Sequence, residues 1–397
     1  MSLTACRAVL HRFVSLAGAD LWRARIAEIK AGCVPGHAGR ALAQHHALEL
    51  MIERLRFCPN GPRVAAEREV VTLAADALAL HGRLSPAGQS RMVALLEVAL
   101  RETGTPVFLF QMLRAARLQR GRGFAVRFAG LEDGASFDLT LSREGAEAEM
   151  ACELVSAEEG RGVHRGAWHH LVDRVDPDLQ AWLATHPGRY LLKMTLPQGL
   201  KAEPGSNAAL AELHGRITRM LGEARRADHC SAAVLRLDPL VLAGAQAGEN
   251  GLMRDLRAEF GPEAHLAVTQ SGGGMLVLAA RAGSEDEVAE AVQRRAAAIA
   301  PERLSGTRPG ILAMFVEDTD RLEWRRLRDQ LQLEGAVRQF MTSAEARHVV
   351  AVTCASRQEL LGGVPPDAAE DGELRYRNPS HPAAKVLALA PAVVSST

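Results

Sequence analysis

The stretch Ser136-Phe137-Asp138-Leu139-Thr140-Leu141-Ser142-Arg143-Glu144-Gly145-Ala146-Glu147-Ala148-Glu149-Met150-Ala151-Cys152-Glu153-Leu154-Val155 decides the fold. Two alternating runs flank the turn signal Arg143-Glu144-Gly145-Ala146, and alternation with a period of two is the mark of a half-buried strand. The spacing predicts strands over 136–142 and 147–155. Phe137, Leu139 and Leu141 take one face, and Ser136, Asp138, Thr140 and Ser142 the other. On the next strand Met150, Cys152 and Leu154 point to the core, while Glu147, Glu149, Ala151 and Glu153 share the polar side. A turn centred between Glu144 and Gly145 sets Asp138 opposite Ala151. Glu149 and Glu153 are then its diagonal neighbours, roughly 7–8 Å away by Cα.

Upstream, Phe124, Val126 and Phe128 alternate with Ala125, Arg127 and Ala129, a first strand, and Glu132-Asp133-Gly134 reads as a hairpin turn. Before it, 108–120 reads as a helix ended by Gly121 and Gly123. Residues 1 to about 120 carry only helical spacing, as in Leu10, Val14, Leu21 and Ile26, or Met92, Leu95, Leu96 and Leu100. Ser85 before Pro86 is a helix N-cap with proline at the first helical position. Downstream of Gly160, Trp168, Leu171, Val172, Val175, Leu179, Trp182 and Leu183 keep a 3.6 period, which makes a core helix stopped by Pro187-Gly188. A strand over 190–195 and a helix through Leu210, Leu213, Ile217 and Met220 follow.

The expected fold class is α/β: a helical N-terminal domain, an αβββαβα core and a C-terminal α/β elaboration. The expected domains are 1–104 (helical), 105–228 (α/β core), 229–364 (an extension of that core or a small second domain) and 365–397 (a loosely ordered tail rich in Pro, Ala, Asp and Ser). Strand candidates in the third segment are 232–235, 265–269, 275–280, 311–316 and 349–353, with helices near 284–300 and 320–342.

The chain has 397 residues, with 47 Lys+Arg against 47 Asp+Glu. A zero formal charge excludes a protein that coats nucleic acid by bulk charge. Only four of the basic residues are lysine (Lys30, Lys193, Lys201, Lys385), so arginine is the default cation and a single arginine points weakly to phosphate. The six cysteines contain no CxxC pair, which argues against a zinc knuckle and for buried thiols in a reducing cytoplasm. No apolar run nears the roughly 20 residues of a membrane span, and Arg7, His11 and Arg12 interrupt the first apolar stretch. The expectation is a cytoplasmic protein with no membrane partner.

Asp138, Glu149 and Glu153 on one pleated face suit a hard divalent cation such as Mg²⁺, which takes oxygen ligands and can activate water. The competing reading makes these acids the outer face of an antiparallel hairpin. The order helix, meander, helix, strand, with an Asp on the second strand and an acid-rich third strand, resembles the PD-(D/E)xK nuclease superfamily, the restriction-endonuclease-like fold. The closest part runs from Ala151 to Arg165, Ala151-Cys152-Glu153-Leu154-Val155-Ser156-Ala157-Glu158-Glu159-Gly160-Arg161-Gly162-Val163-His164-Arg165. It looks like the third strand, loop and helix start of some uncharacterised bacterial members, where the strand ends in an acid, one residue and a lysine, followed by Gly-Arg and His-Arg. The resemblance covers about 105–225 and implies a metal-dependent nuclease.

This chain departs from that pattern. The family acid falls on Ala151, the family lysine on Glu153, and the metal-orienting glutamate of the preceding helix on Gln111; Asp138 alone stands as expected. The implied function is therefore a nuclease-like protein with a degenerate active site and only residual Mg²⁺-dependent phosphodiester hydrolysis. Its site would comprise Asp138, Glu149 and Glu153 as catalytic and metal residues. Arg161, His164 and Arg165 would touch phosphate at a helix start, although an exposed, solvated turn explains them too. Partners would be DNA or RNA, or a protein. The rival class is a non-enzymatic interaction module that docks a protein through its N-terminal helices.

Three weaker candidates have plainer explanations. Ser271-Gly272-Gly273-Gly274 suits a hairpin loop better than an anion cradle, and His45, His46 and Glu49 lack an evident third ligand. Cys152 occupies a packing position.

Overall fold

A computed structural model describes residues 3–58, 60–101, 104–201, 206–240, 256 and 264–396. The chain divides into two compact units. The first comprises Met1–Ala31, His45–Glu159 and Ala289–Thr397, the second Gly32–Gln44 and Gly160–Val288. Among the described residues no helix is long and apolar enough to cross a membrane.

Seven helices come first: α1 (Leu3–Leu16), α2 (Ala19–Gly32), α3 (His37–His45), α4 (Ala47–Phe57), α5 (Ala65–His81), α6 (Pro86–Ala99) and α7 (Val107–Gly121). No strand precedes residue 125 among the described residues, as the helical spacing requires. Ser85 caps α6 by accepting from the Gly88 N–H at 3.2 Å. The meander follows: β1 (Ala125–Arg127), β2 (Leu139–Arg143) and β3 (Ala146–Ser156). Instead of a hairpin turn, Glu132 and Asp133 lie in a one-turn helix, α8 (Ala129–Asp133), closed by Gly134 in the left-handed conformation. Four residues lie between Gly134 and Leu139, the first residue of β2, too many for a two-residue turn, and the short helix takes up part of the connection.

The β2–β3 register is the expected one: Leu139 pairs with Met150, Thr140 with Glu149 and Arg143 with Ala146. Glu144 and Gly145 both adopt positive φ (51° and 80°), the requirement of a two-residue turn whose twist matches the strands. Leu139, Leu141, Met150 and Cys152 are wholly buried in one core with Leu10, Phe13, Ile52, Val70 and Phe110. Helices α1, α4, α5 and α7 therefore cover the apolar face of the meander. Each such leucine contributes roughly 1.5–3 kcal/mol of burial.

The contiguous αβββαβα core does not form as a single sheet. After β3 the chain enters the second unit, where α9 (Arg165–Thr185), β4 (Arg189–Leu196), α10 (Ser206–Gly222), β5 (Ala227–His229), β6 (Val234–Pro239), β7 (His265–Ser271) and β8 (Gly274–Ala282) build their own sheet, ordered β5-β6-β4-β8-β7. Its core joins the Trp168 stripe of α9 to Leu192, Leu213, Ile217, Leu276 and Leu278. Gly272 and Gly273, both at positive φ, make the β7–β8 turn. The helix after Gly160 and its strand are thus a real pair, but β4 hydrogen-bonds to β6 and β8 and not to the meander.

The element beside β3 comes much later. The first unit resumes with α11 (Val288–Arg303), β9 (Gly310–Glu317), α12 (Arg321–Asp329), α13 (Gln332–Met341), β10 (Val349–Ser356), α14 (Arg357–Leu360), β11 (Leu374–Arg377) and α15 (Ala390–Val393). Its sheet runs β1-β2-β3-β9-β10-β11, with β3, β9 and β10 parallel. The strands expected at 311–316 and 349–353 extend the meander's sheet, and those at 265–269 and 275–280 belong to the other one. The segment after Pro365 is not loose: β11 pairs with β10, and Leu389, Ala392 and Val393 are buried in the first core. Its few apolar residues fall at the spacing of two short turns, which averaged composition hides.

Candidate active-site face of the first sheet

Asp138 ends the segment that leads into β2. Its backbone is pinned on two sides: its N–H donates to the Met150 carbonyl (3.0 Å) and its carbonyl accepts from Gly130 (3.1 Å). A Cβ on Gly130 would lie 3.0 Å from the Phe137 carbonyl oxygen, a tight contact to which the backbone would have to yield by a few tenths of an ångström. Asp138 Oδ2 accepts from the Cys152 N–H (2.7 Å) and from Arg303 Nη2 (2.8 Å).

Glu153 lies on the same face of β3. Its Oε2 accepts from Arg303 Nη1 at 3.2 Å, and its Oε1 accepts from Arg295 Nε at 2.8 Å and from Arg295 Nη2. Arg303 also donates through Nε to the Ser136 carbonyl (2.6 Å). One guanidinium therefore bridges Asp138 and Glu153 and closes onto the backbone between them. Arg295 and Arg303 stand two turns apart on α11, which lies on the acidic face of β3.

Glu149 does not join that pair. It is fully buried, and it accepts from the Ser305 N–H (2.8 Å) and the Ser305 hydroxyl, with Arg308 Nη1 3.6 Å away. Glu147, nearer the strand start, pairs with Arg308 Nε at 2.9 Å. Gln111, at the place of the family's metal-orienting glutamate, is buried on α7 with its Oε1 lacking a hydrogen-bond partner. The expected trio of carboxylates thus resolves into two groups, both engaged by residues 295–308. Among the described residues no three His, Cys, Asp or Glu side chains gather closely enough to hold a metal.

Burial pushes the Asp138 carboxyl up to about 6, and the Glu153 charge adds to the rise. Arg303 and the Cys152 N–H oppose both. Burial likewise raises the Cys152 thiol well above its ordinary value, which fits packing and not nucleophilic attack.

Arg161, His164 and Arg165 belong to the second unit. Arg161 is 4% exposed, which rules out a solvated turn for it. His164 is the N-cap residue of α9, its N–H donating to the Leu200 carbonyl at 2.8 Å, and Arg165 opens the helix. Two histidines that the sequence did not single out for binding stand with them. Burial, Arg161 and Arg165 bring His265 down to about 3; burial, His37 and Arg165 bring His169 down to about 4. The His37 and His169 rings are 6.1 Å apart, and His169 Nδ1 has no hydrogen-bond partner. Cations gathered this closely disfavour one another's protonation.

At the carboxyl ends of β3 and β9, Asp318 accepts from the Ser156 hydroxyl (2.6 Å) and meets His45 Nδ1 at 3.3 Å. Burial opposes its ionisation, yet those two hydrogen bonds hold its carboxyl well below the usual range. His46 instead pairs with Glu49 at 2.9 Å, so the two neighbouring histidines serve different acids.

Sequence reasoning missed Arg295, Arg303 and Ser305. Their only signal is a pair of arginines eight residues apart on one helix, and that spacing is unremarkable in a chain whose basic residues are nearly all arginine. In comparisons with known proteins, no family model matches the chain, and no curated protein or solved structure proves similar to it.

Proposed function

We propose that the first unit is a nuclease-like α/β fold with a degenerate active site, and that the protein binds nucleic acid or a protein partner and does not cut phosphodiesters. The observation that carries this reading is the meeting of Asp138 and Glu153 at a single guanidinium. In the resemblance the second-strand acid and the position of Glu153 belong to one site; here Asp138 and Glu153 are neighbours, which supports the reading. The order of elements adds support. With Gly160–Val288 read as an insertion, α7, β1, β2, β3, α11 and β9 run helix, meander, helix, strand within one sheet.

The residues on this face do not fit Mg²⁺. Both Glu153 oxygens and Asp138 Oδ2 already accept from guanidinium groups, whose charge balances theirs. At the position of the family lysine, Glu153 offers no ammonium to stabilise developing charge. No hydrolytic step is therefore assigned to the face.

Arg165, half-buried at the first residue of α9, supports a polyanionic partner; Arg161 near it is buried, and His169 and His265 are neutral near pH 7. Docking of a protein through the N-terminal helices has less support, since Leu10, Phe13, Ile52 and Val70 face the unit's own core.

The test is fluorescence anisotropy with labelled single- and double-stranded DNA and RNA at low and high salt, beside plasmid nicking in Mg²⁺ and Mn²⁺. The expected result is salt-sensitive binding, weakened by Arg165→Ala, and no nicking. Nicking that vanishes in Asp138→Ala would show a working site. Absence of nucleic-acid binding even at low salt would remove that class of partner.

A further inference from the structure

We infer that Asp138 and Glu153 form a divalent-cation position that the chain fills with its own arginines, so that α11 is latched to the sheet where a metal would otherwise sit. The inference rests on the nuclease-like reading. It adds what occupies the position and what would reopen it.

Three observations lead to it. First, Arg303 satisfies both acids at once, Nη2 to Asp138 at 2.8 Å and Nη1 to Glu153 at 3.2 Å, which is the bridging role a single cation would perform. Second, Arg303 is tied to the strand's approach in both directions: its Nε donates to the Ser136 carbonyl at 2.6 Å and its carbonyl accepts from the Ser136 hydroxyl at 3.1 Å. The guanidinium is a fixed part of the face and not a stray surface charge. Third, the charges balance. Two carboxylates, each about nine-tenths buried, face two guanidiniums, and burying the acids without a counter-charge would cost several kcal/mol. A divalent ion brings the same two positive charges but needs the oxygens that the arginines hold. Metal and arginines therefore compete for one position, and the tethered pair wins by proximity.

The test is calorimetric titration of the full-length protein with Mn²⁺ alone. Wild type is expected to show no stoichiometric uptake. Arg295→Gln/Arg303→Gln is expected to take up one Mn²⁺ per chain where wild type takes up none, and adding Asp138→Asn should abolish the gain. Arg295→Gln alone guards against misfolding, because the Arg295 side chain is 44% exposed and its removal uncovers Glu153 Oε1. It should give a smaller gain in the same direction.

One Mn²⁺ bound by wild type and lost in Asp138→Asn would overturn the inference, since the arginines would not then hold the position. So would a folded Arg295→Gln, or a folded double variant, with no gain. The nuclease-like reading has its own readout: plasmid nicking that survives both Asp138→Asn and Arg303→Gln would place any nuclease activity elsewhere, whatever the Mn²⁺ titration gives.

Discussion

Replacing Asp138 by asparagine should reverse part of the protein's pH dependence of stability. The Asp138 carboxyl stands at about 6 in the folded chain against an ordinary 3.8, a rise led by burial. A carboxyl raised on folding holds its proton more tightly in the native state. Its stabilising contribution is complete below about 4 and is lost as pH rises through 6. A difference of about two pKa units corresponds to about 3 kcal/mol. Asparagine keeps an acceptor for the Cys152 N–H and has no proton to lose, so it removes this dependence while preserving shape. Urea unfolding of wild type and Asp138→Asn, followed at intervals from pH 4 to pH 7, gives the stability difference directly, and groups common to both proteins cancel. The variant should gain on wild type as pH rises, by about 3 kcal/mol across the range if Arg303 holds its geometry. A flat difference would mean that Arg303 fully offsets the burial. A difference falling with pH would mean that the ion pair dominates, and the reasoning from burial would be refuted.

Arg303→Gln leaves Asp138 without a cationic partner and Glu153 with Arg295 alone, and should cost about 3 kcal/mol at pH 7, with Glu153→Gln in the same chain recovering part of it; chemical denaturation of the four proteins of the cycle reads the coupling. His265 stands at about 3 in the folded chain, so the stability it confers is present above 6.5 and lost as pH falls through its range. His265→Gln should therefore move acid unfolding of the second unit to lower pH, read by the emission of Trp168, whose ring lies 6.0 Å from that of His265. Leu139→Ala opens a hole in the core shared by β2 and the N-terminal helices and should cost about 2–5 kcal/mol in the same denaturation assay.

The meander was legible because local rules govern it. Glu144-Gly145 can hardly be anything but a tight turn, and once it is placed, the period of two fixes which face each residue takes. The face carrying Asp138, Glu149 and Glu153 followed from those few residues. The element that covers the face was not legible. Adjacency of β3 to β9 is a long-range pairing between two apolar strands, and either sheet would bury Ile311–Val316 equally well. The helix after Gly160 has every property of the crossover helix that a meander calls for, and only its partner strand β4 shows that it serves another sheet. Reading Arg161 as solvated failed for a related reason: burial depends on what packs over a residue, and the two neighbours to its left and right do not reveal that. Arg303 was hidden by composition, since its role rests on position and not on residue type.

The route of the chain bears on how the first sheet assembles. Met150 pairs with Ile311 across the Gly160–Val288 part of the second unit. Yet within that unit the Glu287 N–H donates to the Gly160 carbonyl at 2.6 Å, so its two ends are stitched together. A second unit that folds first shortens the effective span between β3 and β9 from roughly 160 residues to a few tens, which lowers the closure cost by about 1–2 kcal/mol. The order of events matters as much as the sum of contacts. A ribosome releases β3 long before β9, and the intervening unit can act as a staple that hands the waiting strand its neighbour.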